Sequence, residues 1–228
     1  MWRPRVNPTD LLMLAGLQIA HMQKACPPYV AGMEFAGYVH QLGPGVSDFE
    51  VGQRVIGIVN PRRPSGGAQA EFVCVPAASL SPAPEAADLT AAATVPMNGL
   101  TAKMCLDALA LSEGEMLLVT GAAGAVGSYV IQLAKQAGLL VIAEAKKTDF
   151  EWILSLGADE VVPRGPALFD AVRGRFPNGV DGLVDAALLG AAAAALVRAG
   201  GATALLRGSQ SPGWMPGCGT RTSACCSR

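Results

Sequence analysis

The rhythm of apolar and polar positions changes twice along the chain. Between Val30 and about Ser81, short β-favouring runs (Gly37–Val39, Arg54–Val59, Glu71–Val75) are punctuated by Gly and Pro, which predicts a compact β-rich lobe. Asp88 to Leu111 is rich in Ala and Leu and predicts helix on both sides of a break at Pro96-Met97-Asn98-Gly99. From Glu115 onward, strands and helices alternate. Met116–Val119 is a short apolar strand. Val126, Val130, Leu133, Ala134 and Ala137 then fall at helical spacing up to Gly138. Leu139–Ala143 reads as a strand, Thr148–Leu156 as a helix stopped by Gly157, and Glu160–Val162 as a strand. Ala167–Phe176, Val180–Val184, Ala191–Ala199 and Ala202–Leu206 continue the alternation. Strands separated by helices of this length predict an α/β fold with a doubly wound parallel sheet.

The tail from Gly208 lacks Val, Ile, Leu, Phe and any acidic residue, so it is expected to form neither strand nor amphipathic helix and to be disordered. Elsewhere the composition is that of a globular protein: 51% of residues are hydrophobic, ample for a core. The formal net charge is −1 with no basic block, which argues against nucleic acid or an anionic membrane as partner. The longest apolar run, Ala186 to Val197, is shorter than the roughly 20 residues a bilayer span needs. No apolar segment follows Met1–Arg5, so no secretory signal is expected. None of the six cysteines forms a C-x-x-C pair and there are two histidines, which disfavours structural zinc. Cys26, Cys74 and Cys105 read as reduced thiols of a cytoplasmic protein.

The chemistry concentrates in Gly121-Ala122-Ala123-Gly124-Ala125-Val126-Gly127. A glycine string alone predicts only a turn. This one leaves an apolar strand and enters an amphipathic helix, where backbone N–H groups and the helix dipole hold a pyrophosphate. Gly124 permits close approach of phosphate and Gly127 close packing of helix on strand, while Ala122 stands at the fingerprint's first glycine. No Gly-Lys-Ser/Thr follows, which excludes a triphosphate loop. Glu144, 20 residues beyond Gly124, stands where an acid hydrogen-bonds the adenosine ribose of NAD. Lys146 and Lys147 follow at once and favour the 2′-phosphate of NADP. A solvated strand end is an equal reading of these three residues, and the choice of cofactor stays open.

The stretch from Val6 to about Arg207 resembles the medium-chain dehydrogenase/reductase superfamily, in its zinc-independent quinone oxidoreductase branch. The resemblance rests on motifs in family order: Val6-Asn7-Pro8-Thr9-Asp10, Gly32-Met33-Glu34-Phe35-Ala36-Gly37, Gly43-Pro44-Gly45-Val46, Val51-Gly52-Gln53-Arg54-Val55, Gly99-Leu100-Thr101-Ala102, the glycine fingerprint, and Leu156-Gly157-Ala158-Asp159. It implies a partial GroES-like β-rich substrate lobe over 1–88, a Rossmann dinucleotide-binding domain over 89–207 with five strands and the sixth missing, and the tail over 208–228. It also implies hydride transfer from NADP(H), or from NAD(H), to a small quinone, enone or similar conjugated carbonyl. Gly121, Ala122, Gly124, Ala125, Val126, Gly127 and Thr101 are then the cofactor-binding residues, with Glu144, Lys146, Lys147 and Arg164. Asn7 is the candidate polar contact at the acceptor oxygen, with Asp10 second. An Asx turn before a helix is their bland alternative.

The three metal-ligand positions of zinc-using relatives fall on Asn7, Met33 and Met97, an amide and two thioethers, so the resemblance implies no zinc. Two departures bear on the cofactor: Asp149 stands where relatives often carry a lysine for the 2′-phosphate, and Arg164 where they often carry an aromatic. Relatives also begin with further β-strands and continue into a sixth strand and a return segment. The chain is therefore expected to be truncated, with the homodimer interface lost. Two alternatives remain: reduction of an enoyl thioester, and a non-catalytic nucleotide-binding remnant.

Overall fold

A computed structural model describes residues 3–4, 6–18, 20, 22, 27–206 and 222–224. The chain divides into two compact units, Met1–Met97 and Asn98–Arg228.

The N-terminal unit is built on a four-stranded antiparallel sheet of β1 (Arg3–Pro4), β2 (Glu34–Tyr38), β3 (Arg54–Ile58) and β4 (Leu80–Pro82), in that order. The short helix α1 (Pro8–Leu14) begins at Asn7, with Pro8 at its first position, where a missing N–H costs nothing. Glu71–Val75 does not become a strand. Its alternation survives, with Val73 and Val75 half-buried against Phe35, Val59 and Ala68. Among the described residues, however, no neighbouring strand pairs with its backbone, and without a ladder partner alternation alone makes no strand. The expected helix break at Pro96 is also absent. After α2 (Leu89–Ala92), α3 (Val95–Leu109) runs straight through Pro96 and Gly99. Pro96 lies in the first turn of α3, where its missing N–H costs no bond within that helix.

The C-terminal unit is the expected parallel sheet. It contains β5 (Met116–Thr120), β6 (Leu140–Ala145), β7 (Glu160–Pro163), β8 (Val180–Asp185), β9 (Val197–Leu205) and β10 (Thr222–Ala224). Their order is β10-β9-β8-β5-β6-β7, every pair parallel. The connecting helices are α4 (Ala125–Gln136), α5 (Phe150–Ser155), α6 (Ala167–Arg175) and α7 (Ala191–Ala194). Both faces of the sheet are covered, so β5 is apolar from Met116 to Val119. Leu117 and Val119 face a cluster with Val130, Ile131 and Cys105, and Leu118 faces one with Leu168, Val172 and Leu196. Because β5 lies between β6 and β8, the strand order reverses beside it, and the crevice at its carboxyl end is where such sheets take ligands.

Two expectations fail here. The helix over Ala191–Ala199 ends at Ala194, and Val197–Ala199 joins β9, because β-branched Val197 packs on the Leu118 cluster. The tail, expected to form no strand, contributes β10, whose Thr222–Ala224 pair with Thr203–Leu205. Strand pairing uses backbone groups that β9 would otherwise leave open at the edge, so apolar side chains are not required. The rest of the tail, 207–221 and 225–228, lies outside the described residues.

At the opposite end of the strands, Asp181 accepts from Met116 N–H at 2.7 Å and from Arg198 Nε at 2.5 Å. Burial pushes its carboxyl up, but the Met116 and Arg198 hydrogen bonds and the Arg198 charge outweigh it and hold the pKa below the usual value.

Candidate functional site

The glycine segment makes the turn from β5 into α4. Gly121 takes φ +62°, a conformation that favours glycine. A Cβ there would sit 2.9 Å from Ala187 N and 3.0 Å from Ala186 C. Gly127 is tighter still: its Cβ would lie 2.5 Å from Gly121 O and 2.7 Å from Ala122 Cα, so the helix rests directly on the turn's backbone. Gly124 differs. It is the N-cap of α4 with extended backbone, and a Cβ there would meet a single atom within 4 Å, Gly121 O at 3.1 Å. Beyond that contact lies open space. Among the described residues no side chain caps α4, so the N–H groups of its first turn (Ala125, Val126, Gly127) are available to an anion. Ala122 is fully buried behind them.

Lys146 and Lys147 are exposed just past the end of β6, and Arg164 stands past the end of β7. With Arg175 they line an open groove of about 690 Å³, whose apolar walls are Ala145, Phe150, Val161 and Pro163. Arg175 is ion-paired with Glu160. Glu144, by contrast, turns inward. It is 2% exposed, its Oε2 accepts from Gly121 N–H at 2.7 Å, and its Oε1 lies 3.9 Å from Arg164 Nε. Thr101 is half-buried in the middle of α3.

A second polar pair at this sheet edge escaped the sequence reading. Thr120 and Asp185 are register partners ending β5 and β8, and both are buried. Thr120 Oγ1 donates to Asp185 Oδ1 at 2.6 Å and accepts from Ala187 N–H at 3.2 Å. Asp185 also accepts from Leu189 N–H at 3.1 Å and Gly190 N–H at 2.7 Å. The loop 186–190 is thereby drawn onto the glycine turn, with Leu188 held at φ +61°. A signal was present: each residue is the polar position that closes its strand, at the carboxyl edge where ligands bind.

In the N-terminal unit, Asn7 and Asp10 meet Glu34, which the sequence reading did not single out. Asn7 Nδ2 donates to Glu34 Oε1 at 2.9 Å, and Met97 N–H donates to Glu34 Oε2 at 2.8 Å. Asp10 Oδ2 accepts from Asn7 N–H at 2.7 Å and Oδ1 from Gly32 N–H at 2.9 Å. Asp10 therefore serves the chain's own backbone: it caps α1 and ties it to the segment before β2. Glu34 is fully buried and orients the Asn7 carboxamide. Met33 Sδ accepts from the Thr9 hydroxyl at 3.1 Å. Among the described residues, no three His, Cys, Asp or Glu side chains gather as a metal site. No described helix is long and apolar enough to cross a membrane.

Comparison with known proteins gives this geometry a context. Residues 4–85 match the alcohol dehydrogenase GroES-like domain family. The chain is similar to the mitochondrial NAD(P)H oxidoreductase RTN4IP1 of Drosophila melanogaster, 37% identical over 69% of this chain and 43% of that protein. It is also similar to the chloroplast envelope quinone oxidoreductase homolog of Arabidopsis thaliana, 32% identical over 72% of this chain and 52% of that one. The matches thus span about half the length of these relatives. Among solved structures, the CurK enoyl reductase superposes with a TM-score of 0.80 at 26% identity, covering 90% of this chain and 63% of that chain.

Proposed function

This chain belongs to the medium-chain dehydrogenase/reductase superfamily, and from that premise we propose that it binds NADPH through the glycine turn and serves the reduction of a quinone, enone or similar conjugated carbonyl without zinc. The observation that carries this reading is the open face of Gly124 at the uncapped head of α4, beside a groove lined by Lys146, Lys147 and Arg164. The turn accepts pyrophosphate oxygens on its free N–H groups, the three cations favour a 2′-phosphate over a bare ribose, and the groove's apolar walls suit adenine. When bound, the nicotinamide supplies the hydride. The chain's own task is to bind, orient and exclude water, because a conjugated acceptor needs positioning more than a strong acid or base. In the N-terminal unit, Asn7 offers a polar contact to the acceptor's oxygen through the Nδ2 hydrogen that Glu34 does not take. Thr101 joins the cofactor-binding set.

Zinc independence is supported by the chemistry of the donors at the aligned positions. The Asn7 amide is committed to Glu34 and the Met33 thioether to Thr9, whereas zinc favours thiolate, imidazole and carboxylate. A reducing compartment agrees with exposed Cys74 and buried Cys105, neither of which is in a disulfide. Likeness to the CurK enoyl reductase favours a second reading, reduction of an enoyl thioester, which draws on the same binding turn.

Loss of NADPH absorbance, followed with a simple quinone and separately with crotonyl thioester, tests both. Turnover of the quinone supports the first reading, turnover of the thioester alone the second. Neither reading survives if NADPH is stable in both assays.

A further inference from the structure

Glu144 makes contacts that differ from those its spacing implies. Its carboxylate is buried and accepts from Gly121 N–H, while its own carbonyl accepts from Ala122 N–H at 3.2 Å. One residue of β6 thus engages two consecutive N–H groups of the turn. On the other flank, Ala186 and Ala187 close on Gly121, held there by Thr120 and Asp185. Gly121 needs such restraint, since glycine moves readily between left- and right-handed backbone. Its carbonyl oxygen is also the atom nearest the Cβ positions of both Gly124 and Gly127, so the Gly121 peptide is the floor on which the head of α4 rests. If that peptide rotates, the first-turn N–H groups lose their aim.

Resting on the dinucleotide reading above, we propose that Glu144 is a positioning residue. It fixes the Gly121 peptide, and through it the pyrophosphate-binding N–H groups of α4, without itself touching the nucleotide. The adenosine ribose is then left to groups of the groove.

The test uses three forms of the full chain. Glu144→Ala removes the acceptor, Glu144→Gln keeps an amide oxygen for Gly121 N–H, and the parent is the reference. If Glu144→Ala does not fold, Glu144→Met replaces it, with similar length and no such acceptor. Each is titrated with NADPH and with adenosine 2′-monophosphate, which carries adenine, ribose and 2′-phosphate but no pyrophosphate. Loss of one buried hydrogen bond to a charged group should weaken NADPH binding by about ten- to a hundredfold in Glu144→Ala. Binding of adenosine 2′-monophosphate should stay near the parent's, and Glu144→Gln should recover most of the NADPH affinity. Parallel loss of both probes identifies a ribose contact and overturns the proposal, as does unchanged NADPH affinity in Glu144→Ala. Hydrogen exchange at the Gly121 amide in nucleotide-free protein reads the restraint directly: slow in parent and Glu144→Gln, faster in Glu144→Ala. A parent that binds neither probe sinks the dinucleotide reading, and the restraint is then judged by exchange alone, where equal rates in all three forms refute it.

Discussion

Gly124 and Gly127 are separated by two residues yet should respond to substitution in opposite ways. At Gly127 an added Cβ falls 2.5 Å from Gly121 O and 2.7 Å from Ala122 Cα. These are backbone atoms that cannot swing aside, so Gly127→Ala pries α4 from the turn and should cost about 1–3 kcal/mol, the usual range for overpacking. At about 2–4 °C per kcal/mol for a domain of this size, its melting temperature should fall by roughly 2–12 °C. At Gly124 the backbone is extended, at φ −81° and ψ 167°, which any residue adopts, and the sole close contact is 3.1 Å. Gly124→Val should cost about 1 kcal/mol, mainly from a poorer N-cap. Its side chain projects into the space through which phosphates reach the helix N–H groups, so NADPH affinity should fall at least about a hundredfold, or ~2.7 kcal/mol. Thermal melts and fluorescence titration with NADPH, run on both variants, check the pair. Parent-like NADPH affinity in folded Gly124→Val refutes the binding role of the turn, and a parent-like melt for Gly127→Ala refutes the packing argument.

Replacing Arg164 and Lys146 together by Ala should weaken NADPH by about tenfold or more while changing NADH little, because exposed cations meet only the extra phosphate; equal losses for both, measured by titration, contradict that assignment. For Asp159, burial raises the carboxyl pKa, but the Lys135 hydrogen bond, the Val141 N–H and the Lys135 charge outweigh it and hold the pKa below normal. The unfolded chain therefore takes up the proton first. The stabilisation is complete above the unfolded value of about 4 and is lost as pH falls through the folded one. The melting-temperature gap between parent and Asp159→Asn should accordingly shrink as pH drops below about 4, and a gap that widens there is the opposite sign. Elemental analysis of dialysed protein should find far less than one zinc per chain, with chelator leaving the melting temperature unchanged.

The parallel sheet was legible because its strands are buried on both faces. Leu117–Val119 and Val141–Ala143 read as apolar runs, and Gly138 and Gly157, both at positive φ, mark the ends of the helices before them. Local pattern failed where tertiary context decides. Among the described residues Glu71–Val75 alternates but has no ladder partner, Val197 leaves an alanine run to join β9, and Thr222–Ala224 pairs with β9 although its sequence carries no apolar run. The site divides in the same way. The glycine turn is local, with every member within seven consecutive residues, so the sequence displays it whole. The partnerships of Glu144 with Gly121, of Asp185 with Thr120 and of Glu34 with Asn7 and Met97 join residues 23 to 65 positions apart. Spacing marks such residues as polar but does not say which way they turn, and at Glu144 and Asp10 the carboxylate turns toward the backbone.

The proposed binding of NADPH by the turn at Gly121–Gly127 is tested most directly by a side-by-side titration of the unmodified chain with NADPH and NADH. Saturable binding at one site per chain, with NADPH tighter by about tenfold or more, is expected if Lys146, Lys147 and Arg164 meet the 2′-phosphate. Absence of saturable binding by either nucleotide contradicts the turn as a dinucleotide site, and tighter binding of NADH contradicts the role given to the cations.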